Sequence, residues 1–209
     1  MKKIFLLTAL FIVQMSTAFA SVEDHLNCGM NYEMSYPIVY TNDKAAQDKI
    51  NQDIYHYIAT FRDDFQAGKF YKGKFSYDVK FENDKYISLT VIDDRIDSPR
   101  SGGRNHYKLY GVVYDKKTGN KLPLSHFLKI TLEDLSWLCI TNLYNDSGYN
   151  LENTYKKPDQ ISEDYYLMGN GGIALIYQTW RLSVYSDGAT TIRLSAEEVN
   201  YFNRKNRNL

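Results

Sequence analysis

The chain has 209 residues, 25 basic against 25 acidic side chains for a formal net charge of zero, two cysteines and four histidines. That length bounds the fold to one domain or two closely packed subdomains. The even charge balance argues against a nucleic-acid-binding surface and against a polybasic membrane-surface protein.

The chain opens with Lys2 and Lys3, an apolar run from Ile4 to Val13, and then Ala18-Phe19-Ala20 followed by Ser21. A short positive region, an apolar core too brief to span a bilayer and a small-x-small site together predict a secretory signal peptide, residues 1–20, cleaved after Ala20. The remainder holds no apolar run long enough for a membrane span. Its expected location is therefore periplasmic or secreted, and it is not membrane-spanning after cleavage. Loss of Lys2 and Lys3 leaves it slightly acidic.

Cys28 and Cys139 form an even count in an oxidising compartment, so one disulfide is expected between them, worth roughly 4–5 kcal/mol as the closure of a long loop. The alternative is two unpaired thiols, with Cys139 a small buried hydrophobe in the run Leu135-Ser136-Trp137-Leu138-Cys139-Ile140.

"YEMSYPIVY", residues 32–40, reads as a strand with an irregularity at Pro37. Ile50, Ile54, Tyr57, Ile58, Phe61 and Phe65 then recur at helical spacing, with Thr41, Asn42 and Asp43 as N-cap candidates and Gly68 as the stop. "KFSYDVKFE" alternates Phe75, Tyr77, Val79 and Phe81 on one side, and an Asn83-Asp84 turn joins it to "KYISLTVIDD" as a hairpin. "HYKLYGVVYD" is a third strand, ended by the Asp115–Gly119 turn. Thr131 and Asp134 resemble a capping box for a second helix with Leu132, Leu135, Cys139 and Leu143 on its apolar face. After a polar interval at 146–162, two strands flank Gly169–Gly172, another pair flanks Ser186-Asp187-Gly188, and "AEEVNYF" closes as a short helix capped by Ser195. The order predicts an α+β fold, with mainly antiparallel sheets packed against two principal helices and a short C-terminal one.

His25, His56, His106 and His126 show no metal-ligand spacing, and no nucleophile-elbow or Ser-x-x-Lys signature is present. No metal, cofactor or catalytic residue is therefore assigned. Asp93-Asp94, on opposite faces of a strand, read as a solvated strand end rather than a carboxylate couple. Ser101-Gly102-Gly103-Arg104, with Arg100 and Arg104, has the makings of an amide nest for an anion. It precedes a strand rather than a helix, however, so a glycine bend is the plainer reading. Nineteen tyrosines suit strands and recognition surfaces alike.

"YISLTVIDD…SGGRNHYKLYGVVYDKKTGNKLPLSHFL" and "DYYLMGNGGIALIYQTWRLSVYSDGATTIRLSAEE" resemble the two halves of a family of extracytoplasmic modules. These modules form the extracellular domain of the lysozyme-sensing anti-sigma factor RsiV and the non-catalytic region of PdaC-type peptidoglycan deacetylases. The resemblance spans residues 30 to 200. It implies a PdaC-like subdomain at 21–125 and an RsiV-like one at 126–209. The chain departs from the pattern at Arg104-Asn105, which displaces His106, and at Trp180-Arg181. With no sigma-binding or deacetylase segment in this sequence, the resemblance implies a non-enzymatic module that binds cell-wall glycan or a wall-active protein such as lysozyme. The candidate contacts are Arg100, Arg104 and His106 in the loop, and Tyr177, Trp180 and Tyr185 in the second half. A small wall-degrading hydrolase and an immunity protein against a secreted toxin are the rival readings.

N-terminal sequencing of the exported protein should begin at Ser21; a membrane-retained chain that still starts at Met1 would overturn the leader assignment.

Overall fold

The computed structural model describes residues 21–100, 106–151 and 156–209. The leader at 1–20 and the loop residues Ser101–Asn105, Arg104 among them, lie outside the described residues. The elements are β1 (Val22–Cys28), β2 (Tyr32–Val39), α1 (Lys44–Gln66), β3 (Lys72–Glu82), β4 (Tyr86–Ile96), β5 (His106–Asp115), α2 (Leu132–Leu138), β6 (Leu143–Tyr144), β7 (Tyr165–Leu167), β8 (Ile173–Tyr177), β9 (Thr190–Leu194) and α3 (Ala196–Lys205). The fold is α+β. One sheet has the order β1-β2-β3-β4-β5 and the other β6-β9-β8-β7, with β2–β3 a parallel pair among otherwise antiparallel neighbours.

Helix α1 starts where Asp43 accepts a hydrogen bond from the Ala46 N–H at 3.0 Å, and it runs out at Gly68, whose φ of 69° suits a residue without Cβ. Ile50, Ile54, Ile58 and Phe61 repeat every turn and are buried against Phe75, Leu89, Val91 and Val112 of the first sheet. Each such side chain contributes about 1.5–3 kcal/mol through burial. Tyr114 in this core donates its hydroxyl to Asp53 at 2.6 Å, and burial followed by that bond raises its pKa.

The other face of the first sheet packs on the second. A register shift between Val79 and Phe81 accomplishes part of this. Phe75 points to the α1 core, whereas Phe81, opposite Ser88, joins the core beneath the second sheet. The alternation expected for β3 therefore holds from Phe75 to Val79, the last of these exposed, and breaks at Phe81, because a β-bulge reverses the side chains beyond Val79. Ser88 Oγ accepts the Leu167 N–H at 2.9 Å across the seam. At Gly111 a Cβ would lie 2.3 Å from the Tyr165 carbonyl oxygen, so β5 and β7 meet backbone to backbone.

The Thr131–Asp134 capping box forms as expected, and Ser195 and Glu198 make a second one on α3. Four expectations change. Strand β1 exists without a strong alternation to announce it. Helix α2 stops at Leu138, because the chain turns so that Asn142 can bond the Arg193 carbonyl at 2.9 Å, and Leu143 becomes part of β6. No strand precedes Ser186, because the chain turns at Trp180 and then makes a single 3-10 turn at Tyr185–Asp187. Finally, the disulfide is absent. Cys28 ends the exposed outer strand β1, whereas Cys139 is fully buried in the core beneath the second sheet, so the two thiols occupy different layers. Burial pushes the Cys139 thiol up to about 12.

Gly111→Ala should cost more than about 2 kcal/mol in chemical denaturation, since neither backbone can yield without breaking the seam. Gly68→Ala, with open space around it, should cost about 1 kcal/mol.

Candidate binding site

Strand β5 is the outer strand of its sheet, and side chains from the second half close its free edge. Gln178 accepts the Leu109 N–H at 3.1 Å and donates to the Leu109 carbonyl at 2.7 Å. Asp164 accepts the Gly111 N–H at 3.4 Å. Burial raises the Asp164 pKa, opposed by that N–H, by Lys121 and by Gln178.

Immediately after Gln178 the chain makes a tight reverse turn. The Arg181 N–H donates to the Gln178 carbonyl at 3.1 Å, which places Trp180 at the third position of the turn. Its φ is 72°, the single positive value among described non-glycine residues. That position favours glycine, and an L-residue there costs about 1–2 kcal/mol. The strain is held by anchors on both sides: the Gln178 clamp before it, and after it the buried Leu182, whose carbonyl accepts the Lys156 N–H at 2.6 Å. The Lys156 ammonium also reaches the Trp180 carbonyl at 3.3 Å. The Trp180 side chain, at 59% exposure, lies with its ring centroid 5.4 Å from that of Tyr185 at an interplanar angle of 37°. Val184 beside them is 55% exposed, and Arg181 pairs with Asp159 at 2.9 Å.

Tyr177 does not belong to this surface. It is 3% exposed, packs in the core beneath the second sheet and donates its hydroxyl to the Gln160 carbonyl at 3.1 Å. Alternation along β8 turns it inward with Ile173 and Leu175. Burial, followed by the nearby Cys139, raises its pKa.

The start of β5 carries a second group. His106 sits opposite Arg95 and Lys108 opposite Asp93 on the β4–β5 ribbon. Period-two alternation puts Asp93, Arg95 and Asp97 on the same face as His106 and Lys108. With Lys69 they line a cavity of about 160 Å³ beyond the end of α1. Arg95 grips Asp93 through both carboxylate oxygens at 2.6 and 2.7 Å and reaches Asp64 at 2.7 Å. Its guanidinium also rests on the rings of Phe70 and Phe61, at 4.9 and 5.5 Å. Burial alone would lower the Arg95 pKa, but Asp93 and then Asp64 win and raise it. Lys69, at 2.6 Å, and then Arg95 hold the Asp64 carboxyl below its usual range. His106 Nε2 lies 2.8 Å from Asp97, both partly exposed.

Asp93 is therefore no solvated strand end; it is 6% exposed and ion-paired, because Arg95 two residues on points to the same side. Arg100 is exposed, with its backbone N–H 3.2 Å from Ser98 Oγ. The structure brings Trp180 to Tyr185 and His106 to Asp97. The Gln178 clamp sets both groups at one end of β5, since Leu109 is three residues, or about 10 Å, from His106. Sequence reasoning missed Gln178 altogether. It also missed Asp64, Lys69, Arg95, Asp97 and Lys108, although the alternation in "DDRID" and "HYK" carries the last three. A cavity of about 1110 Å³ opens at the opposite end of this sheet between Ser21–Glu23, Tyr40–Asp43 and Lys116-Lys117, and holds none of the sequence-derived candidates. Among the described residues, no three His, Cys, Asp or Glu side chains gather as metal ligands. None of the described helices is long and apolar enough to cross a membrane.

No family model matches the chain, and no curated protein does. Among solved structures, a DUF3298 family protein from Pseudomonas aeruginosa superposes with a TM-score of 0.56 at 13% identity, over 86% of this chain and 90% of that one. A member of the same family from Bacteroides fragilis gives a TM-score of 0.52 at 14% identity, over 87% of this chain and 91% of that one. The likeness is one of fold.

Arg95→Ala should destabilise the protein by about 3–5 kcal/mol in urea unfolding, because it strands the buried Asp93 carboxylate. Adding Asp93→Asn should recover part of that loss. Equal stability of wild type and the single variant would show the ion pair to be dispensable.

Proposed function

We propose that this protein is a non-enzymatic, extracytoplasmic binding module that engages cell-wall glycan or a wall-cleaving enzyme such as lysozyme through the turn carrying Trp180 and Tyr185. The reading rests on one observation: a large indole is held outward on a backbone conformation that glycine would adopt at lower cost. Strain of this kind persists where the surrounding structure over-determines it, and it concentrates at ligand contacts. Anchoring by Gln178 and Leu182 leaves little conformational freedom to lose on binding, so the ring is preorganised.

An aromatic pair serves a sugar as a stacking platform and a protein as an anchor. Val184 and Arg181 beside the rings favour the protein partner, since Trp, Tyr and Arg with an apolar neighbour are the composition of interface hot spots. The leader expected at 1–20 supports a location outside the cytoplasm. The non-enzymatic reading is supported by the state of the reactive groups. Asp64 and Asp93 are each ion-paired with Arg95, and burial keeps the Cys139 thiol protonated.

The test incubates the purified chain with insoluble peptidoglycan and, separately, with lysozyme, reading retained complex and released wall fragments. Trp180→Ala with Tyr185→Ala should weaken retention about 30-fold or more, the loss typical of a hot spot. Trp180→Gly should do the same to binding while its Tm stays level or rises, because the turn is relieved of strain. Undiminished retention in the double variant, or soluble wall fragments produced by the wild type, would defeat the proposal.

A further inference from the structure

We infer that the cavity at the start of β5 is a binding site for an anionic group, a carboxylate or a phosphate, with Lys108 as its principal cation and His106 and Arg95 beside it. The site shares no residue with the aromatic turn.

The charge inventory leads there. Asp93 and Asp97 line the cavity and Asp64 lies against Arg95 beside it, and each already has a partner: Asp93 has Arg95, Asp64 has Arg95 and Lys69, and Asp97 has the His106 ring nitrogen. Lys108 stands directly opposite Asp93 on the ribbon. An ion pair with it is the ordinary outcome for such neighbours. Instead both Asp93 oxygens are taken by the Arg95 fork. Lys108, which lines the cavity, is thus left with no hydrogen bond or ion pair to any described residue. A bidentate guanidinium has displaced a lysine from its cross-strand carboxylate and left an ammonium facing a concave space.

The remaining walls suit an anion. The carboxylates are turned to their own partners and so repel an incoming anion least. The planar Arg95 group is fixed against Phe61 and Phe70, which keeps its charge in place. The half-exposed His106 ring lines the cavity with its Nε2 on Asp97. At about 160 Å³ the space is smaller than the roughly 300–1,000 Å³ of pockets that enclose a whole small molecule. It accommodates a single charged group, either a free anion or the anionic end of something larger.

The test is a titration of the ¹⁵N-labelled mature chain with inorganic phosphate and, separately, with acetate. Chloride is used to hold ionic strength constant, because screening by itself moves exposed charges. Saturable amide shifts confined to Arg95, Asp97, His106 and Lys108 are expected, and the anion that saturates at the lower concentration names the preferred group. Lys108→Gln, an exposed substitution that leaves the Arg95 network whole, should weaken saturation about tenfold or more. Trp180→Ala should leave it unchanged, so failure here and failure of the wall-binding proposal are separable. Non-saturating shifts, shifts spread over all lysines, or an undiminished response in Lys108→Gln would overturn the inference and mark Lys108 as a solvated edge residue.

Discussion

The backbone contact between β5 and β7 at Gly111 is the constraint on which the rest of the molecule depends. Strand β5 has both faces and its outer edge committed. Val112 and Tyr114 face the α1 core, while Leu109 and Val113 face the second half. The outer edge is closed by a series of separate groups instead of another strand: Gln178 on Leu109, Asp164 on Gly111, the Leu122 N–H on the Val113 carbonyl at 2.8 Å, and the Asn120 carbonyl on the Asp115 N–H at 3.0 Å. An unpaired edge invites association with other chains, and this one is covered residue by residue. A residue larger than glycine at 111 would hold the two sheets apart and withdraw each of those partners in turn.

The binding features at one end of the molecule result from that closure. Gln178 lies one residue past β8 and is pinned to β5, so the chain must reverse at once to bury Leu182. Trp180 falls at the position of the turn where φ is positive. Exposure of its ring is therefore a consequence of two anchors close together in sequence. On the ribbon face, burial of Arg95 between Phe61, Phe70 and two carboxylates costs desolvation that only a complete set of partners offsets. The completeness of that set is also what leaves Lys108 over.

The two surfaces differ in what maintains them. The aromatic turn stores a modest strain in one residue, and substitution there is expected to leave the fold intact. The ion-paired cluster is structural on its inner side, at Asp93, Arg95 and Asp64, and open on its outer side, at His106 and Lys108. The inner half ties the end of α1 to the sheet; the outer half is where substitutions are separable from stability.

Much of this is legible in the amino-acid sequence. Helix α1 declares itself through Ile50, Ile54, Ile58 and Phe61, the capping box through Thr131 and Asp134, and the β3–β4 hairpin through Asn83-Asp84, because all three rest on contacts within a few residues. The α+β class comes from the order of those elements. Tertiary packing decided what local pattern does not encode: the bulge that sends Phe81 to the opposite face from Phe75, the separation of Cys28 and Cys139 into different layers, and the inward turn of Tyr177. Trp180 and Tyr185 are nameable as aromatics in the sequence, but their pairing and the strain at Trp180 come from Gln178 reaching across to Leu109, a contact sixty-nine residues away. Lys108 shows the same division. Its place on a strand face is written in the alternation of "HYK", whereas its lack of a partner among the described residues depends on Arg95 winning Asp93, a competition that exists only once two strands and the end of α1 are assembled.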